Sequence, residues 1–531
     1  MLVFATPMTA TILINRSFGE TRVALLEDGV VSEVYVERNH ELGLVGNIYK
    51  GRVTRVLPGM QAAFVDIGLQ RAAFLYADDI RPLEKTSKNP KSIDSSLPEE
   101  QPHGVEDEKL AHEADIIEHA KAEAREQEPH REHASIDTLI KEGDEIVCQV
   151  SKDPIGSKGA RITTYISLPG RYLVYMPNTD HVGVSKRITE ESERKRLREL
   201  VEALRTDSGG YIVRTEGASL SGEKLREDML FLETMWQEVG QDTKNRQAPA
   251  LLQADLDLVL RATRDLFTHD VDKLVIDNAK ELERVTNFLS KFSPELLERV
   301  SLSQSKVGLF EHYSVEGEIE RALQRKVGMK SGASIVIDQA EALTAIDVNT
   351  GGFVGKQNLE ATILRTNLEA VKEIVTQLRL RNIGGIIVID FIDMESADDR
   401  ERVYNAFVEE LKRDRAKTHV LPISGLGVIE MTRKRVRESL GRRLTEPCPY
   451  CEGRGRIRSR STIAHEIFRE VSRQANKDGH VMVLANPEIA AILAEEESDT
   501  LSKVEEFIGK SVVVEARSDF HHEAYRVVLR R

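Results

Sequence analysis

With 531 residues, 40% hydrophobic and 31% charged, the chain is too long for one hydrophobic core and should divide into several domains. Its net charge of −14 excludes a uniformly basic nucleic-acid binder, so any surface for nucleic acid must be local. Three cysteines exclude a disulfide framework, and no apolar run spans a membrane or, at Met1-Leu-Val-Phe-Ala, forms a signal peptide, so a soluble cytoplasmic protein is expected.

The chain opens with strand-like runs at Thr11 and Thr21. Asp28-Gly29 between two apolar runs predicts a hairpin and a small antiparallel sheet. From Gly46 to Phe74, and again from Lys141 to Arg161, short strands punctuated by glycines predict a small barrel. Phe64, Phe74 and Lys158 suit a single-stranded nucleic-acid platform, on which bases stack while lysines track phosphates; the competing reading puts both rings in the barrel core. Residues 82–135 interrupt the barrel with 14 acidic residues against 7 lysines and arginines, a net of −7, and predict a flexible or partly helical loop insertion.

Leu168-Pro-Gly170 predicts a turn, followed by a strand through Val174. His181 to Arg187, including Lys186, is a polar basic turn, and Thr189–Arg205 has the pattern of a charged helix. Gly210-Tyr-Ile-Val-Arg214-Thr215 is a strand ending in a guanidinium and a hydroxyl, a pair that can grip a phosphate; a structural pairing of Arg214 with a carboxylate is the alternative. Ser219–Trp236 and Gln253–Leu266 predict helices, and Lys273–Asp277 a further strand.

Two later runs share one form: Ala342-Leu-Thr-Ala-Ile-Asp347-Val-Asn349-Thr-Gly351-Gly352 and Gly384-Gly-Ile-Ile-Val-Ile-Asp390-Phe-Ile-Asp393. Each is a β-branched run ending in a carboxylate, the pattern of a buried strand. Helical spacing across Asn358–Arg381 makes them neighbours in one sheet with their C-terminal ends together, where α/β sheets bind ligands. Asp347 and Asp390, helped by the Asn349 amide, suit a magnesium ion, which takes one or two carboxylates and can activate water beside a phosphate. The plainer reading has each aspartate capping a turn; Asp393, already past the strand, is the weaker candidate.

Met431 to Arg437, continued by Arg442 and Arg443, is basic enough to hold an anionic polymer beside such a metal, or to be a solvated face. Cys448-Pro-Tyr-Cys451 is a zinc-knuckle half-site, and with four ligands needed and two supplied, two chains could share one zinc. A redox pair is the runner-up, although no thioredoxin-like βαβ unit is expected around it. Thr462–Arg531 reads as a small α/β unit.

Leu343-Thr-Ala-Ile-Asp347-Val-Asn349, Gly385-Ile-Ile-Val-Ile-Asp390-Phe-Ile-Asp-Met and Cys448-Pro-Tyr-Cys451 together resemble the ribonuclease E/G family over nearly the whole chain. The barrel run Ala62-Ala-Phe64-Val-Asp-Ile-Gly68 is similar to its ribonuclease G branch in particular. The resemblance implies an α/β multidomain fold. An RNase H-like part (1–37 and 260–323) is split by an OB-fold RNA-binding barrel (38–163) and a 5′-sensor region (164–259). A DNase I-like catalytic part (324–444), a zinc link (445–459) and a small dimerising domain (460–531) follow. It implies Asp347 and Asp390 as magnesium ligands assisted by Asn349, and Phe64, Phe74 and Lys158 as RNA contacts. Arg214 and Thr215, faced by Gly170 and Val174, would sense a 5′-monophosphate. Lys186 and Lys417 fall where the ribonuclease E branch has RNA-contacting arginines; lysine keeps the charge and loses the bidentate fork. Cys448 and Cys451 match the zinc link that joins chains into a homodimer or homotetramer. The expected function is a magnesium-dependent, single-strand-specific endoribonuclease stimulated by a 5′-monophosphate, acting on rRNA precursors and mRNA. A non-catalytic RNA-binding assembly factor and a DNA nuclease are the rivals.

Overall fold

The computed structural model describes residues 9–41, 43–81, 135–154, 158–185, 188, 190–205, 209–218, 220–351, 359–424, 427–435, 437–474 and 479–530. The insertion at 82–134, Lys186 and Gly352 lie outside the described residues. The chain divides into two compact units, Met1–Arg443 and Leu444–Arg531.

In the first unit, β1 (Ala10–Ser17), β2 (Glu20–Glu27) and β3 (Val30–Arg38) form an antiparallel meander. The predicted hairpin is there: Asp28 (φ 50°) and Gly29 (φ 77°) both take the positive φ that a two-residue turn with the right twist requires. The sheet is larger than the local pattern suggested. β14 (Lys273–Ile276) and β15 (Val300–Leu302) add in parallel beside β1, giving the order β15-β14-β1-β2-β3.

The barrel closes through β4 (Ile48–Leu57), β5 (Ala62–Asp66), β6 (Ala73–Tyr76), β8 (Arg161–Thr163) and β7 (Glu145–Lys152), with β7 pairing back onto β4. Ala63, Val65, Ala73, Leu75, Cys148 and Ile162 fill it. Four strands follow, β9 (Leu168–Pro169), β10 (Leu173–Met176), β11 (Val182–Val184) and β12 (Gly210–Val213), in the order β11-β12-β10-β9. The helices Glu191–Leu204 and Gly222–Asn245 pack on them. Gln253 does not begin a helix. It ends β13 (Ala250–Gln253), which joins the barrel at β4, and the helix starts at Leu258, where the Asp257 side chain accepts from Leu260 N–H at 3.2 Å.

The third sheet runs β16 (Lys326–Gly328), β17 (Ser334–Gln339), β18 (Leu343–Asn349), β19 (Gly385–Asp390), β21 (Val428–Arg433) and β20 (Thr418–Val420) in that spatial order. The helix Leu359–Leu380 crosses from β18 to β19, which are parallel neighbours, as the strand-helix-strand pattern predicted. The expectation of strands buried on both faces is corrected. Burial alternates along β18: Thr344, Ile346 and Val348 are buried, whereas Leu343, Ala345, Asp347 and Asn349 are exposed. Helices Leu359–Leu380 and Ala397–Leu411 cover one face of the sheet, packing Val371, Ile374, Val403 and Phe407 on Ile346 and Ile387. A β-branched run in a one-sided sheet looks apolar throughout because Ala345, Ile386 and Val388 occupy the open face.

The second unit holds β22 (His480–Ala485), β23 (Val512–Ala516) and β24 (Tyr525–Arg530), with β22 and β23 parallel and joined through helices Pro487–Ala494 and Ser498–Ile508. This βαβ unit lies in the small α/β unit expected over Thr462–Arg531 and does not surround the cysteines. The pair lies before this unit, in a turn preceding helix Arg460–Ser472, rather than between a strand and its helix.

Candidate active site and RNA-contacting surface

Asp347 and Asp390 are register partners on β18 and β19, both exposed on the open face. Adjacent strands lie about 4.8 Å apart, so the two carboxylates stand side by side. Asn349, two residues on and thus on the same face, donates Nδ2 to Asp347 Oδ2 at 2.7 Å. Gly351 follows at φ +65°, where a Cβ would meet the Gly332 carbonyl oxygen at 2.4 Å, so only glycine lets the chain turn here. The Asp390 carboxyl is held above its ordinary range, first by partial desolvation and then by the charges of Asp347 and Asp393. Asp393, rated weaker from sequence, is thus an electrostatic neighbour of the pair. Asn367 has no signature in the sequence. Fully buried on the crossover helix, it donates to Ile392 O at 2.8 Å and accepts from Ile392 N at 3.1 Å, fixing the bend that carries Asp390 to Asp393.

Phe64 and Phe74 are opposite each other on β5 and β6 with ring centroids 5.2 Å apart, and Tyr76 follows at 4.8 Å from Phe74. The two phenylalanines are half-buried and lie outside the set that fills the barrel, so the core reading fails. Tyr76, which the sequence reading passed over, extends this outer row with the Arg161 guanidinium 4.8 Å above its ring. Lys158 is exposed in the turn before β8. Cys148 is buried in the barrel, and burial pushes its thiol up to about 12, so it is an inert core residue.

Arg214 directly follows β12 and is 3% exposed. Its Nη1 donates to Gly170 O at 2.5 Å and lies 3.7 Å from Asp265, and its Nε lies 3.4 Å from Glu216. Arg214 thus pairs with carboxylates, as the structural alternative expected, and is brought against Gly170. Thr215 Oγ1 is 3.4 Å from Ser185 Oγ, while Val174 is buried on the face of β10 opposite Leu173 and Tyr175, which fill the core of this sheet. Arg214 and Thr215 line a cavity of about 700 Å³ with Arg261, Arg379, Arg415 and Arg437. The carboxylate pair is not in this cavity. Lys417 is exposed and is not among the lining residues; it directly precedes β20, whose Thr418 pairs with Arg433 at the end of the sheet away from Asp390.

The basic run after Met431 does not lie beside the carboxylates. β21 is antiparallel to β19, so Val428 pairs with Asp390 and Arg433 with Gly385, at the far end of the strand. Arg433 is buried against Asp414 at 2.6 Å, Arg437 donates to Val34 O at 2.9 Å, and Arg443 donates to Val36 O at 2.8 Å. Arg437 and Arg443 thus tie the chain after β21 to β3. Asp277, which has the same strand-end pattern as Asp347, accepts from Arg16 N at 2.9 Å and from Asn15, a purely structural use.

In the second unit the Cys448 thiol is lowered, chiefly by the backbone N–H of Cys451 and Tyr450 and then by the Cys451 side chain, an arrangement that favours thiolate. His521, seventy residues further on in sequence, packs its ring 4.2 Å from Tyr450 between the cysteines. Its Nε2 meets Tyr450 O at 2.7 Å while Nδ1 accepts from Glu523 N at 3.1 Å, so both ring nitrogens are occupied in bracing the turn.

Residues 167–436 match the Ribonuclease E/G family, and residues 447–530 match the RNase E/G, Thioredoxin-like domain. The chain belongs to the ribonuclease E/G family. It is 42% identical over 524 residues to Ribonuclease G of Escherichia coli (strain K12), covering 98% of this chain and 100% of that protein. Ribonuclease G of Haemophilus influenzae (strain ATCC 51907 / DSM 11121 / KW20 / Rd) is 42% identical over 521 residues, 98% and 99% of the two chains. Ribonuclease E of the same organism is 35% identical over 514 residues, 96% of this chain and 51% of that protein.

Proposed function

We propose that this chain is a magnesium-dependent endoribonuclease that cuts single-stranded RNA, prefers a 5′-monophosphorylated end, and acts in rRNA maturation and mRNA turnover. That it is an endoribonuclease follows from its membership of the family and from relatives matched end to end. The magnesium reading rests on one observation: Asp347 and Asp390 stand in register on an open sheet face, and the Asp390 carboxyl is held above its ordinary range by partial desolvation and then by the charges of Asp347 and Asp393. Two hard carboxylates in such mutual repulsion, beside a fixed amide, fit a small divalent cation that keeps most of its waters. Bound there, magnesium would supply Lewis acidity to a water and neutralise charge on the phosphodiester, leaving a 5′-phosphate and a 3′-hydroxyl. Asn349 orients the Asp347 carboxylate by its hydrogen bond, and Asn367 sets the bend beyond Asp390. Phe64, Phe74 and Tyr76 offer faces on which unpaired bases stack, and Lys158, exposed in the turn before β8, is available for phosphate, which favours single strands.

Within the fold we read the order β15-β14-β1-β2-β3 as the RNase H-like part, the closed barrel as the OB-fold, β9–β12 as the 5′ sensor and β16–β21 as the DNase I-like catalytic part. Gly170, Arg214 and Thr215 hold the terminal phosphate, and Lys417 guides the strand. Cys448 and Cys451 carry half of a zinc site shared with a second chain. The test is cleavage of one single-stranded RNA, 5′-monophosphorylated or 5′-hydroxyl, with and without magnesium and beside the matching DNA. Cleavage that ignores magnesium removal, or equal cutting of DNA, would sink this reading.

A further inference from the structure

The bend between β9 and β10, Pro169 to Leu173, has nearly all its backbone polar groups committed, and one side chain does most of that work. Asp228, on the helix Gly222–Asn245 and 3% exposed, accepts from three backbone N–H groups: Arg171 at 3.1 Å on Oδ1, and Tyr172 at 2.8 Å and Leu173 at 2.9 Å on Oδ2. The carbonyl groups of the same bend go to arginines. Pro169 O accepts from Arg264 Nη1 at 2.8 Å and Gly170 O from Arg214 Nη1 at 2.5 Å. Tyr172 O accepts from the backbone N–H of Arg214 at 2.8 Å. Asp228 and Arg214 therefore grip one short bend from opposite sides, and the position of each depends on the other.

Burying a carboxylate is costly unless donors replace its water. Burial pushes the Asp228 carboxyl up, and the amides of Tyr172, Arg171 and Leu173, together with the charge of Arg214, work against that push. The packing is close as well. A Cβ at Gly170 would fall 2.6–2.9 Å from the Asp228 carboxylate, so the absence of a side chain at 170 and the presence of Asp228 are one arrangement. An ordinary strand neighbour would satisfy one N–H at a time. A single carboxylate taking three consecutive ones fixes the whole bend as a rigid piece.

We propose that Asp228 is the positioning residue for recognition of the RNA 5′ end: it holds the Gly170 bend so that Arg214 stays aimed at a terminal phosphate, and so sets the preference for 5′-monophosphorylated RNA. This rests on reading Arg214 and Thr215 as the 5′-phosphate site. Asp228 itself touches neither substrate nor the carboxylate pair.

The experiment measures kcat/KM of the full-length protein, with magnesium, on one single-stranded RNA carrying either a 5′-monophosphate or a 5′-hydroxyl. In Asp228→Asn one oxygen becomes an N–H that faces a backbone N–H. Asp228→Ser is smaller and removes both carboxylate oxygens that the three N–H groups use. Either variant should lose about tenfold of the monophosphate preference, the scale of a mispositioned polar contact. Cleavage of 5′-hydroxyl RNA should stay within about threefold of wild type, with the loss carried by KM for the phosphorylated substrate. A preference that survives in a folded variant, or equal slowing of both RNAs, overturns the inference and leaves Asp228 a purely structural residue. A wild-type protein without any preference overturns the reading of Arg214 and Thr215 itself, and this inference with it. Should Asp228→Asn fail to fold, Asp228→Ser decides by the same two outcomes.

Discussion

Asp390 carries a charge that its own surroundings disfavour, because partial desolvation opposes it and the repulsion of Asp347 and Asp393 adds to the cost. A carboxylate used only as a turn cap would gain from its neighbours rather than be opposed by them. Asp347→Asn or Asp390→Asn should therefore abolish cleavage while RNA binding persists, since Phe64, Phe74 and Arg214 are on other sheets. Near-normal cleavage by either variant in magnesium would remove the metal site. The aromatic row makes a separate prediction. Phe64→Ala or Phe74→Ala should weaken binding of single-stranded RNA by about 1–3 kcal/mol, the value of one stacked base, with little change in fold stability because neither ring fills the barrel. Fluorescence titration alongside thermal melting would check this, and a large loss of stability with unchanged binding would return the rings to a structural role.

At the level of elements, the crossover helix Leu359–Leu380 is anchored by charge at its C-terminal end. Arg379, 5% exposed, pairs with Glu27 at 2.6 Å and Glu33 at 3.3 Å on β2 and β3, and Arg437 lies 3.5 Å over the Tyr35 ring. Burial alone would raise the Glu33 carboxyl, but Arg415, Arg437 and Arg379 outweigh it and bring it to about 2, from 4.5. The sign follows directly: the unfolded chain takes up the proton first, so this stabilisation is in place above about pH 4.5 and drains away as the pH falls toward 2. The depression corresponds to about 3 kcal/mol. Glu33→Gln should destabilise the protein by a similar amount near neutrality, roughly 3 kcal/mol, and flatten the acid limb of its stability curve. Urea unfolding across that range measures it; an acid limb as steep in the variant as in the wild type would show that Glu33 is not the group responsible.

At the scale of the whole molecule, the proposed zinc shared between two chains turns on the Cys448–Cys451 turn. The Cys448 thiol is lowered by the amides of Cys451 and Tyr450, and His521, which packs on Tyr450 between the cysteines, has both nitrogens occupied. A four-ligand thiolate site then needs a second copy of the same turn, which a two-fold axis supplies. Metal analysis should give about one zinc per two chains, and Cys448→Ser with Cys451→Ser should lose the metal and lower the oligomer in sedimentation. One zinc per chain, or an unchanged assembly in the double variant with its metal retained, contradicts the shared site. Among the described residues no helix is long and apolar enough to cross a membrane.

What the sequence determined by itself is what local pattern encodes. The Asp28-Gly29 hairpin, the barrel strands, the β18–helix–β19 crossover and the adjacency of Asp347 and Asp390 all follow from periodicity, turn chemistry and the short reach of a strand-helix-strand connection. Tertiary structure alone decided which face each strand buries, because Ile346 and Ile386 look alike until two helices cover one side of the sheet and leave the other open. It also decided what long-range partners do: β14 joins β1 across some 260 residues, the antiparallel turn of β21 carries Arg433 away from Asp390, and Asn367 and Asp228 act through backbone atoms that no side-chain motif announces. A hydrogen bond from a buried side chain to a distant main chain leaves no spacing to read, since any backbone offers the same donors and only the fold chooses which ones it meets.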